Sequence, residues 1–275
     1  MPELPEVETT RRGIATVMTS EIVQEFRVYE KRLRWPIPDD ISSLLQNRRV
    51  LSCDRRGKYL LIHFEHGCQI IHLGMSGSLR RVPLHEPRRK HDHAEWLFSQ
   101  ARFLLHDPRR FGAILWHDKS EGPVEKHPLL AHLGIEPFSS DFTPAYLYAG
   151  LHARKQAIKQ ILLGGKIVVG VGNIYASEAL FLAGIHPELP GLAVSRYRAA
   201  KLHAAIMHTL SAALQAGGST LRDYVNATGG PGSYFELHAN VYERAGQACP
   251  RCQRPIKRLQ QGQRSTYYCS NCQRR

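Results

Sequence analysis

Four cysteines near the end of the chain, Cys249-x-x-Cys252 and Cys269-x-x-Cys272 with sixteen residues between the pairs, constrain this sequence more than any other feature. That spacing suits four thiolates brought to one tetrahedral point on a β-hairpin, the arrangement of a structural Zn²⁺ site. Four protein thiolates leave no open position for water, so one structural rather than catalytic zinc ion is expected. Cys53 and Cys68 lack ligand spacing and read as small buried hydrophobes. The 15 histidines form no His-Glu-x-x-His pair, and no hydrolytic zinc site is expected.

The chain has 275 residues, 43% of them hydrophobic, enough for two domains and an appendage. Lys and Arg number 37 against 24 Asp and Glu, leaving +13 and favouring a polyanionic partner, nucleic acid before an acidic membrane surface. No apolar run approaches the roughly 18 residues of a membrane span, and the N-terminus lacks the pattern of a signal peptide. A cytoplasmic protein is expected.

Along the chain, residues 7–16 read as a short helix. Residues 28–29, 50–53, 59–64, 68–73, 95–98, 102–105 and 113–116 then read as short strands between Gly, Pro and polar turns, which suggests a β-sandwich. Three of its turns are rich in basic residues or glycine: Arg55 to Lys58, His72 to Gly77, and Asp107 to Gly112. Together with the basic loop from Pro83 to His93 they could form a DNA-facing surface, although each alone could be a solvated turn. Residues 120–142 read as a hinge. Helices follow, with Thr143-Pro144 as a start, 158–163 ending at Gly164-Gly165, 173–183 ending at Gly184, and a helix from Ser195 to about Ala216.

Two further stretches carry chemistry. Removal of Met1 would leave Pro2 as a free secondary amine followed at once by the Glu3 carboxyl. An α-amine with a pKa of about 7.7 is roughly one-sixth unprotonated at pH 7, against less than ~0.1% for a lysine, so the N-terminus is the better-poised nucleophile. Attack on a sugar carbon would give an iminium directly, with the carboxyl supplying a proton. The same residues also suit an ordinary helix start, with Pro5 in the first turn and Glu6 and Glu8 favoured by the dipole. Farther on, Gly170-Val171-Gly172-Asn173 opens onto a helix, where backbone N–H groups and the Asn173 amide can take a phosphate. A dinucleotide loop fits poorly, because Tyr175 stands where a third glycine would be.

In order, Pro2-Glu3-Leu4-Pro5-Glu6, Gly57-Lys58, His72-Leu73-Gly74-Met75-Ser76-Gly77, Asp107-Pro108-Arg109-Arg110-Phe111-Gly112, Gly170 to Glu178 and the four-cysteine finger closely resemble the bacterial formamidopyrimidine-DNA glycosylases, from Pro2 to Cys272. The resemblance implies an α+β multidomain chain: an N-terminal catalytic β-sandwich (1–130), a helix-two-turn-helix DNA-binding module (131–235) and a zinc finger (236–275), with damaged double-stranded DNA held in the cleft between domains. It implies a monomeric base excision repair enzyme of the cytoplasm, associated with the nucleoid through DNA. This enzyme would be a DNA-formamidopyrimidine glycosylase with DNA-(apurinic or apyrimidinic site) lyase activity. It would excise 8-oxoguanine and formamidopyrimidines, then cleave the strand by β,δ-elimination.

Carried over onto this sequence, Pro2 is the nucleophile at C1′, Glu3 the proton donor, and Lys58 completes the catalytic set as a phosphate contact. Glu6 and Lys155 support the site. His72, Asn173, Tyr242 and Arg264 bind phosphates; Met75, Arg109 and Phe111 fill the vacated stack, with Arg109 on the orphaned cytosine. Residues 228–234 occupy the place of a lesion-recognition loop. The sister enzymes for oxidised pyrimidines usually have glycine where Leu4 stands and lack the filling set. A non-catalytic zinc-finger protein would leave Pro2-Glu3 unexplained.

Overall fold

The computed structural model describes residues 2–219 and 232–275, so residues 228–231 of the glycine-rich segment singled out above lie outside the described residues. The chain divides into two compact units, one of Met1–Ala131 with Ala216–Ser233 and one of His132–Gln215 with Tyr234–Arg275.

The first unit is a β-sandwich headed by a helix. Helix α1 (Leu4–Met18) starts earlier than the apolar pattern suggests, because Pro5 suits a first turn and Glu3 and Glu6 form a capping box. Leu4, Val7, Ile14 and Met18 form its buried stripe. Short strands β1 (Ile22–Val23) and β3 (Arg48–Arg49) pair with each other, with helix α2 (Ile41–Leu45) between them in sequence.

One four-stranded antiparallel sheet has the order β10 (Ala113–Asp118), β6 (Gly67–His72), β5 (Tyr59–Phe64), β4 (Ser52–Arg56). The other has the order β2 (Glu25–Val28), β8 (Asp92–Leu97), β9 (Arg102–His106), β7 (Ser78–Val82). Their apolar faces meet in a core that includes Phe26, Leu60, Ile71, Trp96, Phe103 and Ile114, each large side chain contributing about 1.5–3 kcal/mol by leaving water. Within it the Trp96 Nε1–H donates to Gln69 Oε1 at 2.9 Å, a polar bond from one sheet to the other. Strand β7 is absent from the sequence reading because its Arg80 looks like a turn residue. Arg80 is buried and bonds Asp92 at 3.1 Å, so a paired cation occupies an inward position.

The second unit is built from helices α3 (Pro144–His152), α4 (Ile158–Leu163), α5 (Asn173–Ala183), α6 (Arg196–Gln215) and α7 (Tyr234–His238), and from the hairpin β11 (Lys257–Gln261) and β12 (Arg264–Tyr268). The start and stop signals read from sequence act as expected: Thr143 Oγ1 accepts the Tyr146 N–H, and Gly184 ends α5 in the left-handed region at φ +71°. Among the described residues, no helix is long and apolar enough to cross a membrane.

Candidate nucleic-acid interface and metal centre

The head of α1 is where Pro2 and Glu3 lie, both buried. Glu6 ties this head to a segment distant in sequence. Oε2 accepts the Glu3 N–H at 2.7 Å, while Oε1 accepts the N–H of Ser219, 213 residues away, at 2.6 Å. Ser219 pairs with Ser233, and the Ser233 N–H reaches the Ala216 carbonyl at 3.0 Å, so residues 216–219 and 232–233 form a neck. At two of its glycines a side chain has no room. A Cβ on Gly218, which sits at φ +90°, would lie 3.0 Å from Glu6 Oε1, and one on Gly232 would lie 2.3 Å from the Gly218 oxygen. The sequence reading noted Gly217-Gly218 only as a helix end and missed this neck.

One turn farther along α1, Glu8 takes Arg11, Arg12 and Arg55 at 2.9–3.2 Å. Burial alone would raise its pKa, but the three guanidiniums outweigh it and hold the carboxyl at about 2. Arg55 also donates to the Gly57 carbonyl at 2.8 Å, which ties the helix to the β4–β5 turn carrying Lys58.

Met75, Arg109 and Phe111 come together for a steric reason. Gly74, at φ +65°, lies against Phe111 and Gly112 so closely that a Cβ would meet backbone atoms at 2.4–2.5 Å. Buried Asp107 pins both loops: Oδ2 accepts the Gly112 N–H at 2.7 Å and Oδ1 accepts the Ser76 hydroxyl at 3.1 Å. Met75 and Phe111 are left 42% and 45% exposed, unusual for such side chains, and the Arg109 guanidinium lies 5.0 Å from the Phe111 ring centre.

His72, at the end of β6 beside Tyr59, has its pKa pulled down to about 4, first by burial and then by Lys58 and Arg34. It is therefore neutral at pH 7. Its Nδ1 accepts the Gly74 N–H at 3.0 Å, which leaves the ring proton on Nε2 as a donor.

In the second unit Asn173, Tyr242 and the β11–β12 hairpin converge. Asn173 Nδ2 donates to the Ser265 carbonyl at 3.0 Å and the Tyr242 hydroxyl at 3.3 Å, next to Arg264, which is exposed. Lys159, fully buried, orients this group: Nζ donates to Asn173 Oδ1 at 2.7 Å, Thr266 Oγ1 at 2.8 Å and the Ser265 carbonyl at 3.2 Å. Lys155, named from sequence, is exposed, whereas Lys159, four residues on in α4, was overlooked. Glu178, also missed, is buried and accepts the backbone N–H groups of Asn240, Val241 and Tyr242 at 2.8–2.9 Å, which sets the Tyr242 loop.

The four cysteine sulfurs all lie within 4.8 Å of one another, with Cys249 to Cys272 at 3.8 Å and Cys252 to Cys269 at 3.4 Å. Zinc–sulfur bonds of about 2.3 Å in a tetrahedron require sulfurs about 3.8 Å apart, so the four residues fit one zinc ion. Arg251, in the turn between the first pair, donates to the Phe181 carbonyl at 3.1 Å, and Gln273 donates to the Ile185 carbonyl at 2.9 Å, fastening the cysteine knuckles to the end of α5.

Comparison with known proteins places these clusters in one family. Residues 1–114 match the formamidopyrimidine-DNA glycosylase N-terminal domain, 133–225 its H2TH domain, and 246–275 the zinc finger found in FPG and IleRS. Formamidopyrimidine-DNA glycosylases of Bordetella petrii and Burkholderia thailandensis are 61% and 51% identical, each over the whole of both chains. Among solved structures, the MutM (Fpg) protein of Thermus thermophilus superposes with a TM-score of 0.88 at 36% identity, covering 99% of this chain and 98% of its own. A Lactococcus lactis Fpg mutant bound to DNA containing Fapy-dG superposes at 0.91 with 31% identity, covering 100% of both chains. With full-length identity at this level and three domains matched in order, the chain belongs to the formamidopyrimidine-DNA glycosylase family.

Proposed function

We propose that the protein is a bifunctional DNA glycosylase and AP lyase that excises oxidised purines from duplex DNA in base excision repair, acting as a cytoplasmic monomer. The observation that carries the reading is the buried Pro2-Glu3 pair at the head of α1, with the Glu3 N–H on Glu6 Oε2 while Glu6 Oε1 takes the Ser219 N–H. Once Met1 is removed, the Pro2 amine attacks C1′ and the damaged base departs with the bonding pair. Loss of the amine proton and opening of the sugar, with Glu3 protonating the ring oxygen, leave a C1′=N iminium on Pro2. β-Elimination and then δ-elimination release the phosphates on either side.

The other residues take roles that follow from their surroundings. Lys58 supplies a cation and neutral His72 an Nε2–H donor to backbone phosphates, and Asn173, Tyr242 and Arg264 supply a second phosphate-binding group. Met75 and Phe111 are the apolar wedge that offsets lost stacking, with Arg109 on the orphaned base. Cys249, Cys252, Cys269 and Cys272 hold the zinc, which stabilises the finger and takes no part in the chemistry.

Borohydride reduction during turnover on 8-oxoguanine duplex should trap an adduct that peptide mapping locates on Pro2. Glu3→Gln should slow base excision far more than cleavage at a preformed abasic site. An adduct on Lys58, or none from protein shown to have lost Met1, would refute the mechanism.

A further inference from the structure

Lys159 on α4 is 0% exposed, and a cation so buried is tolerated only when its N–H groups find acceptors. Nζ finds them on two other elements: Asn173 Oδ1 at the head of α5, and the Ser265 carbonyl and Thr266 Oγ1 on β12. An ammonium only donates, so every bond read outward from it has one possible direction. Thr266 Oγ1, accepting from Nζ, turns its own proton to Gln261 Oε1 at 2.9 Å, and Gln261 Nε2 then donates to the Pro187 carbonyl at 3.2 Å.

The same rule fixes Asn173. With Oδ1 held by Nζ, the amide nitrogen falls on the Ser265 carbonyl at 3.0 Å and the Tyr242 hydroxyl oxygen at 3.3 Å. The Ser265 carbonyl, an acceptor alone, requires the same sense. Reversing the amide would set Oδ1 against a carbonyl oxygen and Nδ2 against an ammonium.

That sense matters to a backbone phosphate, which accepts hydrogen bonds and donates none. In the observed orientation Asn173 offers it an N–H; reversed, the amide would offer a lone pair. Of the two N–H groups, the one on Tyr242 makes the longer bond, 3.3 Å against 3.0 Å, and is the one a phosphate oxygen displaces at the smaller cost. We propose that Lys159 is a positioning residue for DNA binding, fixing the Asn173 amide so that the N–H held by Tyr242 in the free protein passes to a phosphate in the complex. This rests on the reading in which Asn173 and Tyr242 bind a phosphate, and deepens it, since Lys159 acts on that phosphate only through Asn173.

The test is a double-mutant cycle in the full-length, zinc-loaded protein, read as affinity for duplex carrying an uncleavable abasic-site analogue. Lys159→Met keeps a similar length and an apolar stem but has no donor, and it should weaken binding about tenfold, the size of one lost bond to a charged group. In an Asn173→Ala background the same substitution should cost less than about twofold, because no amide is left to position. The slope of log affinity against log salt should stay at the wild-type value in Lys159→Met, whereas loss of a direct phosphate contact would flatten it by about 0.9. Equal losses in both backgrounds would reduce Lys159 to packing, and a flattened slope would make it a phosphate ligand; either result overturns the proposal. Asn173→Ala binding as tightly as wild type would instead sink the phosphate reading itself, and the proposal with it. Should Lys159→Met lose zinc or melt early, Asn173→Asp gives the answer. Its carboxylate pairs with the ammonium, so stability should hold or rise while affinity falls at least as far as in Asn173→Ala; retained affinity would overturn the proposal.

Discussion

Gly218→Ala tests whether the Glu6 bond to Ser219 positions the nucleophile. A methyl at Gly218 would lie 3.0 Å from Glu6 Oε1 and 3.1 Å from its Cγ, closer than ordinary contact, so the carboxylate must move off the Ser219 N–H. A hydrogen bond to a charged group contributes about 1.5–3 kcal/mol. The same carboxylate holds the Glu3 N–H, so its displacement reaches the residue beside Pro2. If that loss is expressed in the excision transition state, the single-turnover rate should fall roughly 10- to 150-fold. Alanine at φ +90° is also strained, and Gly217→Ala measures this separately: Gly217 sits at φ +72° with nothing within 4 Å of its added Cβ. Such backbone strain costs about 1–2 kcal/mol. Excision rates, borohydride trapping at a preformed abasic site, zinc content and melting temperature should be compared for both variants. Equal rate losses in the two, or a wild-type excision rate in Gly218→Ala, would refute the positioning role.

Metal analysis should find one zinc per chain, and Cys249→Ser should abolish DNA binding before the β-sandwich loses its fold. Arg264→Ala should flatten the slope of log affinity against log salt by about 0.9, one phosphate contact, whereas His72→Gln should leave it unchanged because the imidazole is neutral. Because burial depresses the His72 pKa from its usual 6.5 to about 4, the unfolded chain binds the proton more readily between those values. The contribution of His72 to stability should thus be level above pH 6.5 and lost as the pH falls toward 4, as melts of wild type against His72→Gln would show. Arg109→Ala should reduce discrimination between C and A opposite 8-oxoguanine by about 1–3 kcal/mol; an equal loss on every pairing would mean that Arg109 only holds the duplex.

What the sequence made legible was short in range. The cysteine pairs, the Gly184 helix end, the Thr143 cap and the Pro5 start each depend on residues within a few positions, where residue type and spacing carry the physics. Lys159 shows the limit. Its neighbours Ile158, Ile161 and Leu162 mark a buried stripe, yet two of its acceptors, Ser265 and Thr266, lie more than a hundred residues away, and nothing local separates it from exposed Lys155. Arg80 escaped for the same reason, since it reads as solvated until Asp92 is folded against it.

Buried acids were read unevenly: Glu6 was expected to support the site, whereas Asp107 and Glu178 stood only as members of their motifs. Asp107, Glu6 and Glu178 are 0%, 1% and 0% exposed, and a carboxylate so buried is tolerable only when hydrogen-bonded. Backbone N–H groups supply those bonds in all three: Gly112 to Asp107, Glu3 and Ser219 to Glu6, and Asn240, Val241 and Tyr242 to Glu178. Each fixes a segment bearing residues assigned to the reaction or to DNA, namely Arg109 and Phe111, Pro2 and Glu3, and Tyr242. Pinning these segments from within keeps these three carboxylates out of solvent, away from an approaching phosphate. Acidic side chains thereby order the binding segments while the basic character of the surface is kept.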